Sequence, residues 1–243
     1  MIGYNMGFAW MEQDIFKGIR AVIFDLDGTI FDSVNAHLEE LEEIWRRLKL
    51  PQIDSEKVKE IMAQGRPFWD SFDALLPSMT PSDREDAKKR GIDMDKEFWK
   101  DVNFIRKFNR LIPKADEVLK TLRRKGISLG LVTSIKRAWG DQAIYYTFRE
   151  VGIEPEEFFE VIIMREDAPR MKPFPDPVLE CVRRLKKAPY QCLYVGDSPS
   201  DILSGKGAGV KTAGVLTGAG TLESLSKEKP DLILQSVDSI IHG

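Results

Sequence analysis

The stretch Ile19-Arg20-Ala21-Val22-Ile23-Phe24-Asp25-Leu26-Asp27-Gly28-Thr29-Ile30-Phe31-Asp32 begins as a short β-branched, apolar run. It ends on two aspartates two residues apart, followed at once by Gly-Thr. An apolar run of this length bounded by glycine reads as a buried strand. Acid side chains inside such a strand would be costly, because an unpaired buried charge is expensive. The two carboxylates therefore belong at the strand's carboxyl end, where ligands bind in open α/β sheets. Something positive must hold them there, and a metal ion is the first expectation.

After Asp32 the character of the chain changes. Leu38, Leu41, Ile44, Trp45 and Leu48 recur at helical spacing over residues 34–49, with Ser33 as a candidate N-cap and Pro51 beyond the end. Residues 55–63 and 82–109 also read as helices, the second broken near Gly91, while Gly65-Arg66-Pro67-Phe68-Trp69 and Pro77 to Pro81 mark turns. No strand is expected between 33 and about 111. From 114 onward the pattern alternates. Helices are expected over 114–125, 137–151, 176–187 and 199–208, and strands over 127–133, 159–164, 191–196, 210–215 and 231–234. Alternation of this kind implies parallel pairing with right-handed crossovers. The expected fold is thus a doubly wound, mostly parallel α/β sheet with an all-helical insertion. Its divisions are residues 19–32 for the first strand, 33–112 for the helical block and 113–243 for the rest of the α/β domain.

Composition narrows the function. The 243 residues are 42% apolar, enough for a real core. With 36 basic against 39 acidic residues there is no basic footprint for nucleic acid, and no like-charge run long enough for an interaction tail. No apolar run approaches the ~18 residues needed to span a membrane, and Glu12 and Asp14 precede the first lysine, unlike a secretion signal. Cys181 and Cys192 fit no metal spacing and are expected to be reduced. The expectation is a cytoplasmic monomer or homodimer that engages neither membrane nor nucleic acid.

The strand ends carry the chemistry. One ends at Asp25 and Asp27, the next at Thr133-Ser134, and a later one at Gly196-Asp197-Ser198-Pro199-Ser200-Asp201. Between them lies Met171-Lys172-Pro173. In a parallel sheet these ends share one edge, so carboxylates, hydroxyls and an ammonium converge. An aspartate can attack a phosphoryl group and form an acyl phosphate. Crowded acids repel one another, and oxygen-only ligands with a phosphate partner favour Mg²⁺. A second acid nearby can protonate the leaving oxygen and then activate water.

These four motifs, in order over residues 20–201, resemble the haloacid dehalogenase superfamily. Specifically they resemble the phosphatase branch with a helical cap inserted after the first motif, as in phosphoglycolate phosphatase and β-phosphoglucomutase. The resemblance implies that Asp25 is the nucleophile and a metal ligand, and that Asp27 is the general acid/base with its backbone carbonyl on the metal. It further implies that Thr133 binds the phosphoryl group, that Lys172 neutralises Asp25 and the phosphate, and that Asp197 ligates Mg²⁺. An aspartate at the second position disfavours dehalogenation. Asp201 matches the last acid of the fourth motif, as support for the metal or for Lys172. It also reads as part of a capped helix start with Ser198 and Pro199.

Other residues are placed less sharply. Ser134 reads equally as a phosphate contact through its N–H and as loop filler. Arg66, between Gly65 and Pro67, is a candidate for a second anionic or hydroxyl group of the substrate. Asp32 and Ser33 are expected to cap the first inserted helix. The aromatics of the helical block, Trp45, Phe68, Trp69, Phe72, Phe98, Trp99 and Phe104, are expected in its core. His37 and His242 receive no role. The expected activity is Mg²⁺-dependent hydrolysis of a small phosphorylated metabolite through an aspartyl-phosphate, with phosphoglycolate the leading candidate. A sugar phosphomutase of the same lineage and a non-catalytic phosphate-binding module are the alternatives.

Overall fold

A computed structural model of the chain describes residues 16–63, 68–98, 100–101 and 110–242. Six strands form one sheet: β1 (Ala21–Phe24), β2 (Ser128–Val132), β3 (Val161–Ile163), β4 (Cys192–Gly196), β5 (Lys211–Val215) and β6 (Leu232–Leu234). Their order is β3-β2-β1-β4-β5-β6 and every pairing is parallel. The order reverses between β1 and β4, the crevice where open α/β sheets bind ligands.

Period-two alternation sends Val22 and Phe24 to one face of the sheet and Ala21 and Ile23 to the other. On the first face they meet Val118, Leu119 and Leu122 of the helix Ala115–Arg124 and Phe148 of the helix Arg137–Glu150. On the second they meet Val178, Cys181, Val182 and Leu185 of the helix Asp176–Leu185, spaced as one helical stripe. Each fully buried side chain of this size contributes roughly 1.5–3 kcal/mol. Both cysteines are free and buried.

The helices between β1 and β2 bury a cluster of their own. α1 (Ser33–Leu48), α2 (Ser55–Ala63) and α3 (Pro81–Phe98) enclose Leu41, Ile44, Trp45, Val58, Phe72, Leu76 and Ala87. Trp69 and Phe98 pack against that cluster, while Trp99 and Phe104 lie outside the described residues. Entry to and exit from this insertion are tied together. Phe31 bridges Leu111 in antiparallel fashion, Asp32 N donates to Arg110 O at 2.7 Å, and Ile112 N donates to Ile30 O at 2.8 Å.

Three local expectations need correction. α3 runs unbroken through Gly91, which is buried; the Trp69 ring lies where a β-carbon would project, so packing rather than a chain break explains the glycine. Phe68–Leu75 forms a 3₁₀ helix where a turn at Phe68-Trp69 was expected, because its apolar residues can bury against the helical cluster. Ser33 does not cap α1. It is the first helical residue, Asp32 occupies the cap position without a side-chain cap bond, and the Ser33 hydroxyl accepts from Gly28 N at 3.1 Å instead.

Because the insertion has its own core, Phe72→Ala should cost about 3–5 kcal/mol and act locally. Hydrogen exchange is expected to quicken in α1 and α3 while β1 and β4 keep their protection. Equal loss of protection in the sheet would contradict a separate core.

Candidate active site

β1 ends at Phe24, so Asp25 is the first residue past the strand, with its N–H still donating to Val195 O at 2.8 Å. The register sets Phe24 beside Leu131 of β2 and Val195 of β4. Thr133 and Asp197 therefore leave their strands on the same edge, flanking Asp25. Gly28 turns the chain away with φ +73°, a conformation open to glycine at little cost.

Lys172 arrives from the loop ahead of the helix Asp176–Leu185. Its ammonium donates to Asp25 Oδ1 at 2.6 Å and to Asp201 Oδ1 at 2.7 Å. All three residues are buried, as is Asp197. Asp201 is saturated. Its Oδ1 also accepts from the Tyr194 hydroxyl at 2.8 Å, and its Oδ2 accepts from Ser198 N at 3.1 Å and Ser198 Oγ at 2.6 Å. Ser198 Oγ in turn accepts from Asp201 N at 3.3 Å, closing a capping box on the helix Pro199–Gly207. Asp201 thus closes the capping box of that helix and contacts Lys172 as well.

Carboxylate oxygens of Asp25, Asp197 and Asp201 lie within 4.8 Å of one another. Since Asp201 spends both oxygens on four donors, Asp25 and Asp197 remain as the candidate ligands. Three buried acids against one ammonium leave surplus negative charge, and hard oxygen donors suit a divalent cation such as Mg²⁺. The residues fit such an ion. Without it, burial raises Asp25 well above the carboxylate range; the Lys172 charge opposes this, and the charges of Asp201, Asp197 and Asp27 add to it. Burial, with the Asp201 charge, also raises Asp197 to about 7, against the Ala219 N–H. Burial works against the charge on Lys172, but Asp201 and Asp25 more than offset it and hold the ammonium protonated.

Thr133 is fully buried and its Oγ1 accepts from Ile135 N at 3.1 Å, which leaves its O–H to donate elsewhere. Asp27 and Ser134 are half-buried. Arg66 lies outside the described residues.

Several neighbours of the site have no role assigned from the sequence alone. Tyr194 sits mid-strand and looks like core, yet its hydroxyl serves Asp201. His37 Nδ1 lies 3.3 Å from Glu40 Oε2, one helical turn on, and Asp27 and Asp95 add their charge there. Burial opposes the charge on His37, but Glu40 with Asp27 and Asp95 together raise the imidazole to about 9; Glu40 itself is raised to about 7, chiefly by burial. The i, i+3 spacing of His37 and Glu40 directly after the motif is the signal that was available.

Residues 22–215 match the family model of the haloacid dehalogenase-like hydrolases. The chain belongs to that family. Among curated haloacid dehalogenase-like relatives it is 30% identical to pyrophosphatase PpaX of Bacillus pumilus (strain SAFR-032), over 92% of this chain and 95% of that one. It is equally 30% identical to phosphoglycolate phosphatase of Escherichia coli (strain K12), over 93% and 92%. With such relatives, this haloacid dehalogenase-like chain is a phosphatase. Two solved structures share the fold. One is a predicted phosphoglycolate phosphatase from Haemophilus somnus 129PT, with TM-score 0.75 and 23% identity over 92% of this chain and 96% of that one. The other is CbbY from Rhodobacter sphaeroides in complex with xylulose-1,5-bisphosphate, with TM-score 0.69 and 20% identity over 90% and 95%.

The raised acids have a pH consequence. Between the ordinary carboxylate value and about pH 7, Asp197 keeps its proton in the folded chain but not in the unfolded one. The folded chain then binds more protons, so stability falls as pH rises. Glu40 acts in the same direction up to about pH 7, and His37 from its ordinary value up to about pH 9. The thermal midpoint of the metal-free protein should fall from pH 5 to pH 8, and Mg²⁺ should restore more of it at pH 8 than at pH 5. A midpoint that rises over that range would contradict the assignment.

Proposed function

We propose that the protein is a Mg²⁺-dependent phosphomonoesterase acting on a small phosphorylated metabolite through an aspartyl-phosphate on Asp25, with phosphoglycolate its leading substrate. The observation that carries this is Asp25 itself. It stands at the strand end, held through one oxygen by Lys172 at 2.6 Å, beside the carboxylate of Asp197. Such a carboxylate is fixed in aim and ready to attack a phosphorus atom.

In this reading Asp25 forms a bond to phosphorus as the bond to the ester oxygen breaks. Asp27, two residues on, gives its proton to the departing oxygen. It then takes a proton from water as that water attacks the phosphorus and the bond to Asp25 breaks. Lys172 and the Thr133 hydroxyl meet charge on the transferring group, together with the N–H of Ser134. Asp25, the backbone carbonyl of Asp27 and Asp197 would hold Mg²⁺, which supplies positive charge to let one anion approach another. Asp201 keeps Lys172 in place.

Residues 33–112 serve as a cap over this edge, and residues 113–243 complete the domain begun by 19–32. The paired connectors at Phe31 and Leu111 support that division, since they join the insertion to the sheet at one narrow crossing. A cap covering the entrance favours a small metabolite over a phosphoprotein. Among the described residues no helix is long and apolar enough to cross a membrane, and the placement proposed is the cytoplasm.

Asp25→Asn should abolish turnover of p-nitrophenyl phosphate with Mg²⁺ while keeping the fold; turnover at the wild-type rate would rule out the aspartyl-phosphate. For the substrate, kcat/KM is to be compared on 2-phosphoglycolate, pyrophosphate and β-glucose 1-phosphate with a trace of bisphosphate. Preferential phosphate release from 2-phosphoglycolate is expected. Preference for pyrophosphate would move the chain beside its other relative, and glucose 6-phosphate formed without phosphate release would make it a mutase.

A further inference from the structure

The segment Thr217-Gly218-Ala219-Gly220, between β5 and the helix Leu222–Lys227, belongs to none of the four motifs, yet it touches two of them. Ala219 N donates to Asp197 Oδ2 at 2.8 Å, and Gly220 N donates to Asp197 O at 3.1 Å. The Thr217 hydroxyl donates to Gly28 O at 2.7 Å, at the turn that follows Asp27. The two glycines allow this approach. A β-carbon on Gly218 would run into the Asp197 carboxyl group, and one on Gly220 into the Asp197 carbonyl oxygen. Gly28 is crowded from its own side, where a β-carbon would meet Gly218 Cα at 2.7 Å. The Ala219 side chain packs against the apolar cluster of the insertion.

We infer that Thr217–Gly220 is a positioning loop for the cation side of the site. It fixes which oxygen of Asp197 is left for the metal and at what distance Asp197 stands from the Asp25–Gly28 turn. One Asp197 oxygen is taken by Ala219 N–H, so the other is turned to the ion. Thr217 clamps the turn that carries the Asp27 carbonyl to the same loop. Asp197 and the Asp27–Gly28 turn are thereby tied to one short segment of chain. The inference rests on the Mg²⁺-dependent reading given above, and outer partners of this kind set metal affinity as well as ligand aim.

The test is metal binding to the purified full chain, by calorimetric titration with Mg²⁺ and by the rise in thermal midpoint with metal concentration. Thr217→Val removes the hydroxyl at nearly constant shape, Thr217→Ser restores it, and Gly218→Ala pushes on the Asp197 carboxyl group. Gly218 has no left-handed φ, so alanine there acts through contact rather than backbone strain. Thr217→Val and Gly218→Ala are each expected to weaken Mg²⁺ binding by about 10-fold or more, with circular dichroism unchanged and Thr217→Ser near wild type. Folded Thr217→Val that binds Mg²⁺ as tightly as wild type overturns the positioning role, even if Gly218→Ala fails to fold. Wild type that binds no Mg²⁺ overturns the metal-dependent reading and the loop's role with it. Wild type that binds Mg²⁺, with Asp197→Asn losing it and the loop variants keeping it, sinks the loop's role alone.

Discussion

A single ammonium, that of Lys172, is shut away from water between Asp25 and Asp201. Removing one partner from a buried ion pair typically costs about 3–5 kcal/mol, because the charge left behind has no solvent. The pair therefore constrains more than itself. It requires the end of β1, the Met171–Pro173 loop and the start of the helix Pro199–Gly207 to meet at one point. Among the described residues it also occupies the only ammonium in contact with Asp25, and that ammonium donates no hydrogen bond to Asp197. A backbone N–H from Ala219 reaches Asp197, and in the proposed reading a cation would meet the rest of that charge.

The sheet makes this meeting inexpensive. β1 lies centrally with β2 and β4 on either side, and all three run the same way. Their carboxyl ends supply Asp25, Thr133 and Asp197 without any strand carrying a charge in its interior. The helical insertion leaves directly past this edge and returns beside its own departure point at Leu111. It has its own apolar cluster, against which Ala219 of the loop after β5 also packs.

What sequence reasoning reads well here is what periodicity and strand ends encode. The alternation of strands and helices after residue 114, the helical block after Asp32 and the convergence of Asp25, Lys172, Asp197 and Asp201 all follow from local pattern and parallel topology. What it misses depends on contacts between distant segments. Gly91 looks like a helix breaker because nothing local shows the Trp69 ring lying against it. Ser33 looks like a cap because Ser before a helical run usually is one, but Gly28 is folded back within its reach. Tyr194 reads as core because a strand interior gives no hint that its hydroxyl meets Asp201. The Thr217–Gly220 loop has only glycine, alanine and threonine, and it contributes backbone N–H groups, close approach and one threonine hydroxyl, none of which stands out from the local pattern.

The central claim is that the surplus of carboxylate over ammonium at this edge is balanced by a divalent cation held by Asp25 and Asp197, with Asp201 reserved for Lys172. The most direct measurement is a crystal structure of the protein grown with Mn²⁺ in place of Mg²⁺, with the ion located by its anomalous scattering. The account predicts one ion with oxygens of Asp25 and Asp197 in direct contact, and the Lys172 ammonium still between Asp25 and Asp201. An ion bound directly by Asp201 with Lys172 displaced, or a site that stays empty at saturating Mn²⁺, would contradict it.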